Sequence, residues 1–225
     1  SRMSLSDLLR EQIIIGLTAD ATDSRFAERI EKIYGTQGAY ERAVSVLAPE
    51  QRANYERAGI VLQPKQIEFA RAARLADSTD NAGEIGVGGA RGGGKSFSVF
   101  SQISVDDCIR FPGLKVLYLR KTARAGKEQM QDLIRSVLAR VSCEPKATQI
   151  DYANGSRIVL GGYKDDSQAA TYQGVEYDIL VIEELTQLSE HVYKTLRLSG
   201  RSSKGFRPRV YATFNPLGIG HQWVK

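Results

Sequence analysis

Apolar and polar positions along the chain follow two alternating patterns. After residue 60, short runs of apolar residues alternate with longer segments in which apolar residues recur every three or four positions. Short continuous runs are typical of buried strands, and the longer spacing is typical of amphipathic helices. The predicted strands lie at residues 84–87 and 115–119 and within the stretches 177–184 and 209–216. Strands that alternate with helices predict a three-layer α/β/α fold with a mainly parallel sheet.

A hairpin and several helices complete the pattern. Residues 147–153 and 156–160 alternate around Asn154-Gly155, a dipeptide that strongly favours a two-residue hairpin turn. Helical spacing predicts helices over residues 67–75, 97–109, 127–141 and 189–199.

The first sixty residues differ from the rest because their helical spacing is not interrupted by strand patterns. Helical stretches are predicted near residues 5–14, 26–33, 43–47 and 50–58. We therefore expect a helical N-terminal appendage at 1–60 and an α/β domain at 61–225. The appendage carries no recognisable chemistry. It is either a docking surface for a partner or a layer that packs against the α/β domain, and the sequence leaves both open.

Composition narrows the class of protein. The chain has 225 residues, of which 42% are hydrophobic and 25% charged, as in soluble globular proteins. No apolar run is long enough for a bilayer, and the N-terminus lacks the pattern of a signal peptide. Cys108 and Cys143 lack metal-site spacing, so buried thiols of a cytosolic protein are expected. A net charge of +5 permits a polyanionic partner without demonstrating one.

A glycine-rich stretch carries the clearest chemistry. It fits G-x-x-x-x-G-K-[ST], the phosphate-binding P-loop, and lies between the strand at 84–87, expected to be buried, and the helix at 97–109. Glycines let backbone N–H groups surround phosphate oxygens, the lysine reaches the β- and γ-phosphates, and the serine ligates Mg²⁺. A glycine-rich linker is the alternative. The motif residues are Gly89, Ala90, Arg91, Gly92, Gly93, Gly94, Lys95 and Ser96.

A second decisive stretch ends in two acids. Four apolar residues at 179–182 precede Glu183 and Glu184, which suits a central strand that ends at a nucleotide crevice. P-loop hydrolases need one carboxylate for Mg²⁺ and a second that orients the attacking water. We assign Glu183 to the metal and Glu184 to the water. The metal position is usually Asp, so Glu183 is a departure from the pattern.

Other polar residues are weaker candidates. Gln66, with Gln63 in reserve, precedes the P-loop strand, and its amide could donate to and accept from adenine, or it is simply a polar residue at a helix start. Thr213 and Asn215 end another strand and could sense the γ-phosphate, or could mark an ordinary strand end. A basic group ends the strand at 115–119 and either touches nucleotide or DNA or is solvated. Its members are Arg120, Lys121, Arg124 and Lys127.

Several of these stretches occur together in one known family. The glycine loop with Arg91 four residues before Lys95 is followed by YQGVEYD at 172–178, ELTQ at 184–187, TFNP at 213–216 and GHQWVK at 220–225. In combination, these stretches resemble the ATPase domain of the large terminase subunit of tailed bacteriophages. The resemblance runs from about residue 62 to residue 225.

The resemblance implies a Mg²⁺-dependent ATPase motor that pumps double-stranded DNA through a portal into a viral procapsid. It implies partners: a small terminase subunit and further copies of the chain in a ring, all in the cytoplasm of an infected bacterial host. It also implies that Gln66 contacts adenine, that Arg91 lies near the γ-phosphate, and that Thr213 to Asn215 couple hydrolysis to movement. Family members usually continue into a nuclease domain, so the chain is expected to be a fragment.

Two questions remain open at this level. Some terminases carry a trans-acting arginine where Gln173 stands, so here the arginine must come from elsewhere. Arg201, or failing that Arg197, is the hypothesis, because both are expected near the catalytic edge; a solvated helix end is the alternative. The alternatives to a packaging motor are a helicase- or remodeller-like ATPase and, less favoured, a small-molecule kinase.

Overall fold

The computed structural model describes residues 24–89, 92, 94–121, 124–215 and 224. The helix expected near residues 5–14, three residues of the glycine loop and most of the last ten residues lie outside this part of the chain. The loop residues concerned are Ala90, Arg91 and Gly93.

A seven-stranded sheet forms the centre of the described structure. Its order is β1-β7-β6-β2-β5-β4-β3; the first five strands are parallel, and β4 and β3 are antiparallel additions at one edge. This confirms the mainly parallel α/β fold and the hairpin at Asn154-Gly155. The strands are β1 (Glu84–Gly88), β2 (Lys115–Lys121), β3 (Cys143–Pro145), β4 (Gln149–Tyr152), β5 (Arg157–Tyr163), β6 (Ile179–Ile182) and β7 (Arg209–Phe214).

Side chains of the central strands point alternately into two apolar layers. In β2, Val116 and Tyr118 join one buried cluster, whereas Leu117 and Leu119 join the other. Because successive strand residues face opposite sides, burial of both sets means that both faces of the sheet are covered. The expected three-layer arrangement is therefore confirmed.

The strand β1 differs from the expectation. It was expected to be buried, but it lies at the sheet edge, and its residues alternate between exposed and half-buried. Its glycines have a packing reason. A Cβ at Gly86 or Gly88 would stand 2.7 or 2.5 Å from the ring of Phe214 on the neighbouring β7. Because β1 lies at the sheet edge, it is less buried than its apolar run predicted.

The helices pack on both faces of the sheet. The helix that follows the glycine loop is continuous but contains a π-helical segment, Gln102–Asp107, between α5 and α6. The helices are α1 (Ser24–Tyr34), α2 (Gln37–Val44), α3 (Pro49–Arg57), α4 (Pro64–Leu75), α5 (Lys95–Ser101), α6 (Cys108–Arg110), α7 (Arg124–Leu138), α8 (Asp166–Ala170) and α9 (Glu190–Arg197).

The N-terminal helices pack against the α/β domain. Ile30, Tyr40 and Tyr55 belong to the same buried apolar cluster as Val99 and Tyr211 of the domain. Of the two interpretations of this segment, the structure supports packing. The helix expected at 43–47 was misplaced, since α2 ends at Val44.

A carboxylate cluster, defined here as the exposed Asp77 together with Asp106 and Asp107, ties α4, the π-helical segment and β7 together. Asp106 and Asp107 are fully buried. Every carboxylate oxygen of the three has a partner, and the partners are three arginines and several neutral donors. The arginine contacts are Arg74 to Asp106 at 2.7 Å, Arg110 to Asp77 and Asp107 at 2.6 and 3.2 Å, and Arg209 to Asp77 at 2.7 Å.

The π-helical segment explains how two adjacent acids share this cluster. Gln102 Nε2 donates to Asp106 Oδ2 at 2.9 Å and to Asp107 Oδ1 at 3.2 Å. A wider helical turn brings residues four and five positions apart to one side, which a regular α-helix does less well. Tyr211 of β7 completes the set, because its hydroxyl donates to Asp107 Oδ2 at 2.9 Å.

Two further sequence expectations concern the cysteines and membrane-spanning helices. Both cysteines are free; Cys108 is buried and Cys143 is half-buried. Within the described part of the chain, no helix combines the length and the apolar character needed to cross a membrane.

Candidate nucleotide-binding site

The predicted site residues meet at one edge of the sheet. Because β1, β7, β6 and β2 are parallel neighbours, their carboxyl ends lie side by side. The glycine loop follows β1, Thr213 is the last residue but one of β7, and Glu183 follows β6 directly. Strand β7 lies between the loop strand and the acid strand, and Val87 is paired with Thr213. Ligands of open α/β sheets bind at this carboxyl edge.

The described part of the glycine loop has the backbone that the motif requires. Gly89, Gly92 and Gly94 have φ angles of 142°, 79° and 68°, values that side-chained residues rarely adopt. Helix α5 begins directly after Gly94, and Ser96 is half-buried in its first turn. Backbone N–H groups at such a loop and helix start favour anionic groups such as phosphates.

Lys95 lies over the loop. Its Nζ donates a hydrogen bond to the carbonyl oxygen of Gly89 at 2.8 Å. Burial lowers the pKa of Lys95, and the negative charge of Glu184 partly opposes this shift. The charges of Lys95 and Glu184 therefore interact.

Gln66 supports the glycine loop. Its Oε1 accepts from the backbone N–H of Gln63 at 2.8 Å, and its Nε2 donates to the carbonyl oxygen of Gly94 at 3.3 Å. A Cβ at Gly94 would stand 2.6 Å from Nε2, so the amide and the loop are in close contact. One N–H and one lone pair of the amide remain for a further partner.

The two acids after β6 have opposite surroundings. Glu183 is 2% exposed, and its Oε2 lies 3.0 Å from Arg120 Nε. Among the described residues, its Oε1 has no partner that meets hydrogen-bond geometry, nor has the nearby Tyr118 hydroxyl. Burial, the charge of Glu183 and the closeness of the Glu183 carboxylate to the Tyr118 hydroxyl raise the pKa of Tyr118, and the charge of Arg120 partly opposes this shift. Glu184, in contrast, is exposed at the surface of the site.

A strained backbone separates these acids. Glu184 has φ 54° and ψ 49°, and it alone among the described non-glycine residues has a positive φ. Such a conformation costs on the order of 1–3 kcal/mol and persists where neighbouring groups hold it. Here the backbone N–H of Glu184 donates to Thr213 Oγ1 at 3.1 Å. The left-handed turn explains why two successive acids differ so strongly in exposure.

The strand tip with Thr213 and Asn215 contacts the acid turn directly. Thr213 is buried, and its hydroxyl accepts from the backbone of Glu184. Thr186 Oγ1 donates to the carbonyl oxygen of Asn215 at 3.4 Å, whereas Asn215 Oδ1 is buried and has no hydrogen-bond partner among the described residues. Thr213 and Asn215 therefore both form hydrogen bonds with the turn that contains Glu184.

Arg120 has a role that the sequence did not assign. Of the interpretations that the sequence allowed for its basic group, none was an ion pair with Glu183, which is what the structure gives. The pairing depends on β2 and β6 being neighbours, and strand order is not readable from the local sequence. The signal for this pairing in the sequence was a charged residue, Arg120, near the end of a buried strand.

The expected position of Arg197 and Arg201 is wrong. Arg197 forms an ion pair with Glu84, at the amino end of β1. Arg201 is anchored beside the amino end of β6: its backbone N–H donates to Tyr177 O, and its Nε donates to Leu198 O. Helix α9 runs back from the carboxyl edge, so its end reaches the opposite edge, and β1 alone spans roughly 13 Å at about 3.3 Å per residue.

The donors at the carboxyl edge fit a magnesium ion. Mg²⁺ prefers oxygen ligands and is usually held by one or two protein oxygens together with phosphates and water. Glu183 Oε1 is a buried carboxylate oxygen that lacks a partner, and Ser96 offers a hydroxyl on the first turn after the loop. The chemistry of this donor set matches the ion that the P-loop motif implies.

Comparison with known families decides the identity at this point. The sequence profile of the family described as phage terminase large subunit matches residues 82–225, which is more than half of the chain. The chain belongs to the phage terminase large subunit family. A comparison with curated proteins gave no match.

Two solved terminases have a similar fold. A large terminase from a thermophilic bacteriophage is 18% identical over 71% of this chain and 40% of that chain, with a TM-score of 0.53. The HK97 bacteriophage large terminase is 11% identical over 72% of this chain and 36% of that chain, with a TM-score of 0.52. The terminase chain described here thus spans well under half the length of these two proteins.

Proposed function

We propose that this terminase chain hydrolyses ATP with Mg²⁺ and that hydrolysis powers the movement of double-stranded viral DNA into a procapsid. One observation carries the proposal. In a chain of the terminase family, the glycine loop with Lys95 follows β1 and the acids Glu183 and Glu184 follow β6, so both lie at the carboxyl edge of the same parallel sheet. The role proposed for each residue follows from its surroundings.

Binding of the nucleotide is assigned to the loop and its support. The glycine loop, residues 89–94, surrounds the phosphates with backbone N–H groups, and Lys95 leaves Gly89 O to contact the β- and γ-phosphates. Ser96 and Glu183 would hold Mg²⁺, and the bound ion would neutralise charge on the phosphate oxygens. Gln66, already in contact with Gly94, uses its remaining N–H and lone pair on the adenine edge.

Hydrolysis is assigned to Glu184. Its exposed carboxylate accepts a proton from a water molecule while the water oxygen bonds to the γ-phosphorus and the bond to the ADP oxygen breaks. Arg91, which lies outside the described residues, would stabilise charge on the γ-phosphoryl oxygens. Thr213 binds the backbone of Glu184, so a shift of β7 and Asn215 would move the catalytic acid, which suits a coupling role.

The larger assembly is part of the same proposal. Packaging requires a portal and procapsid, a small terminase subunit and a ring of several copies, in the cytoplasm of an infected bacterium. We further propose that residues 61–225 form the ATPase domain and residues 1–60 a helical appendage. Packing supports this division for residues 24–60, because apolar residues of this part share one buried cluster with the domain.

The test is the ATPase rate of the full-length protein that contains this chain, with and without procapsids and DNA. We expect Mg²⁺-dependent phosphate release that procapsids and DNA together increase. The Glu184→Gln protein is the control and should stay near background in each condition. Hydrolysis that is insensitive to both procapsids and DNA would contradict the packaging function, and no hydrolysis in any condition would contradict the ATPase assignment.

A further inference from the structure

We propose that Arg120 is a positioning residue for the magnesium carboxylate: it holds Oε2 of Glu183 so that Oε1 is presented to the metal. This inference rests on the proposed function, and it names a residue on which the metal site depends. Three observations carry it: the register of two strands, the anchoring of the guanidinium, and the state of the two carboxylate oxygens.

The register of β2 and β6 brings the two side chains together. Leu119 is paired with Ile182, and the backbone N–H of Glu183 donates to Leu119 O at 2.9 Å, so the pairing continues to the next residues, Arg120 and Glu183. Leu119 and Ile182 face one apolar layer, and the next residue of each strand faces the other. That other layer contains Tyr118, whose ring packs edge-on against Phe100 of α5 at 5.5 Å. Glu183 therefore points to the face that carries the helix of the glycine loop.

The guanidinium of Arg120 is itself held in place. Helix α7 supplies two contacts, from Arg120 Nη2 to Gln129 Oε1 at 3.0 Å and from Arg120 Nη1 to Met130 Sδ at 3.9 Å. The Arg120 side chain is 18% exposed, and its Nε then has one carboxylate oxygen to bind, 3.0 Å away. A planar guanidinium fixed at two nitrogens orients its third nitrogen, which a flexible ammonium group would not do.

The two oxygens of Glu183 are in different states. Oε2 is bound by Arg120, whereas Oε1 is buried and, within the described part of the chain, has no partner that meets hydrogen-bond geometry. A buried carboxylate oxygen without a donor is costly in a folded protein and needs an explanation. The longer arm of Glu, where this motif usually has Asp, lets one carboxylate reach the neighbouring strand and still present its second oxygen. The departure from Asp and the presence of Arg120 thus explain each other.

A competing effect makes the direction of the result informative. Arg120 also brings a positive charge close to the proposed cation site, and charge alone would weaken binding of Mg²⁺. If positioning dominates, removal of Arg120 weakens the effect of Mg²⁺; if charge repulsion dominates, removal strengthens it.

The experiment measures nucleotide binding in place of turnover, in the full-length protein. A fluorescent ATP analogue is titrated at a series of Mg²⁺ concentrations, and the half-saturating Mg²⁺ concentration is compared between variants. For Arg120→Ala we expect it to rise by about tenfold or more, the scale for loss of a residue that orients a metal ligand. Gln129→Ala, which loosens Arg120, should give a smaller rise. Arg135→Ala is the matched control, because Arg135 is an exposed arginine of α7 that pairs with the equally exposed Asp132.

A double-variant cycle separates positioning from a general structural effect. In the Glu183→Gln background, Arg120→Ala should add little to the Mg²⁺ requirement, because the oriented carboxylate is already lost. Should Arg120→Ala not fold, Arg120→Lys and Gln129→Ala give the same comparison. An unchanged or lowered Mg²⁺ requirement in these variants would overturn the role of Arg120 alone. Wild-type protein that binds no nucleotide would instead overturn the proposed function.

Discussion

The carboxylate cluster and the acids that follow β6 in this terminase chain differ in how their oxygens are used. In the carboxylate cluster (Asp77, Asp106 and Asp107), every carboxylate oxygen accepts from an arginine, an amide or a hydroxyl. At the carboxyl edge of the sheet, Glu183 has one oxygen paired and one without a partner. Both groups lie beside the helix that follows the glycine loop.

The difference separates a structural role from a functional one. The cluster joins α4, the π-helical segment and β7. Its three aspartates pair with three arginines, so its carboxylates need no further partner. The edge site instead carries a partnerless oxygen, a strained Glu184 and a lysine whose ammonium group donates to loop backbone. Buried polar groups are normally satisfied, and exceptions concentrate where a ligand completes the arrangement.

The largest effect is expected for Lys95→Ala. It removes the cation that faces the phosphates, so ATP hydrolysis should fall to background and nucleotide binding should weaken. Phosphate release and ATP affinity are the measurements. Lys194→Ala is the matched control, since Lys194 forms an exposed ion pair with Glu190 on α9. Near-normal turnover in Lys95→Ala would remove the P-loop assignment.

Replacement of the exposed acid comes next. Glu184→Gln should bind ATP with Mg²⁺ but hydrolyse it about a hundredfold more slowly or worse, the scale for loss of a general base. Glu183→Gln should raise the Mg²⁺ requirement. Single-turnover hydrolysis and Mg²⁺ titrations distinguish the two variants. The assignment is reversed if Glu183→Gln keeps its Mg²⁺ affinity and loses only turnover.

The structural side of the comparison is tested by Asp106→Ala. It leaves Arg74, Gln102 and Asn54 without their buried acceptor, and removal of one partner of a buried pair costs about 3–5 kcal/mol. Thermal unfolding should report a fall in Tm of roughly 10 °C, while hydrolysis per folded molecule at low temperature stays close to wild type. Asp132→Ala, at an exposed acid, is the control. A stable Asp106→Ala protein without activity would mean that the cluster belongs to the site.

The smallest effect concerns Gln66. Loss of its amide should reduce the preference for ATP over GTP by about tenfold or less, because a single net hydrogen bond is worth about 0.5–1.5 kcal/mol. Affinities for the two nucleotides provide the ratio. Gln63→Ala, with a side chain adjacent to the same helix start, serves for comparison. If wild type and Gln66→Ala prefer ATP over GTP equally, Gln66 does not contact adenine and only supports Gly94.

Local patterns predicted most of the fold and the core of the site. The glycine loop, the apolar run before Glu183 and the hairpin at Asn154-Gly155 each depend on a few adjacent residues, so the sequence was enough to find them. What the sequence missed depends on strand order. The pairing of Arg120 with Glu183 requires β2 beside β6, and the exposure of β1 requires its place at the edge.

The other errors concern the direction in which the chain runs after a strand. Arg197 and Arg201 follow the acid strand closely in sequence, yet α9 carries them away from the carboxyl edge. The difference between Glu183 and Glu184 was also beyond local pattern. It depends on one left-handed residue that Thr213, from another strand, holds in place.

The most direct test of the central claim is equilibrium binding of ATP to the Glu184→Gln protein, measured by calorimetry with and without Mg²⁺. Because this variant turns over slowly, ATP itself can be used. The account predicts that ATP binds, that Mg²⁺ tightens the binding, and that a second change, Lys95→Ala, weakens it strongly. Binding that ignores both Mg²⁺ and Lys95, or no binding of ATP at all, would contradict a Mg²⁺–ATP site at the carboxyl edge of the sheet.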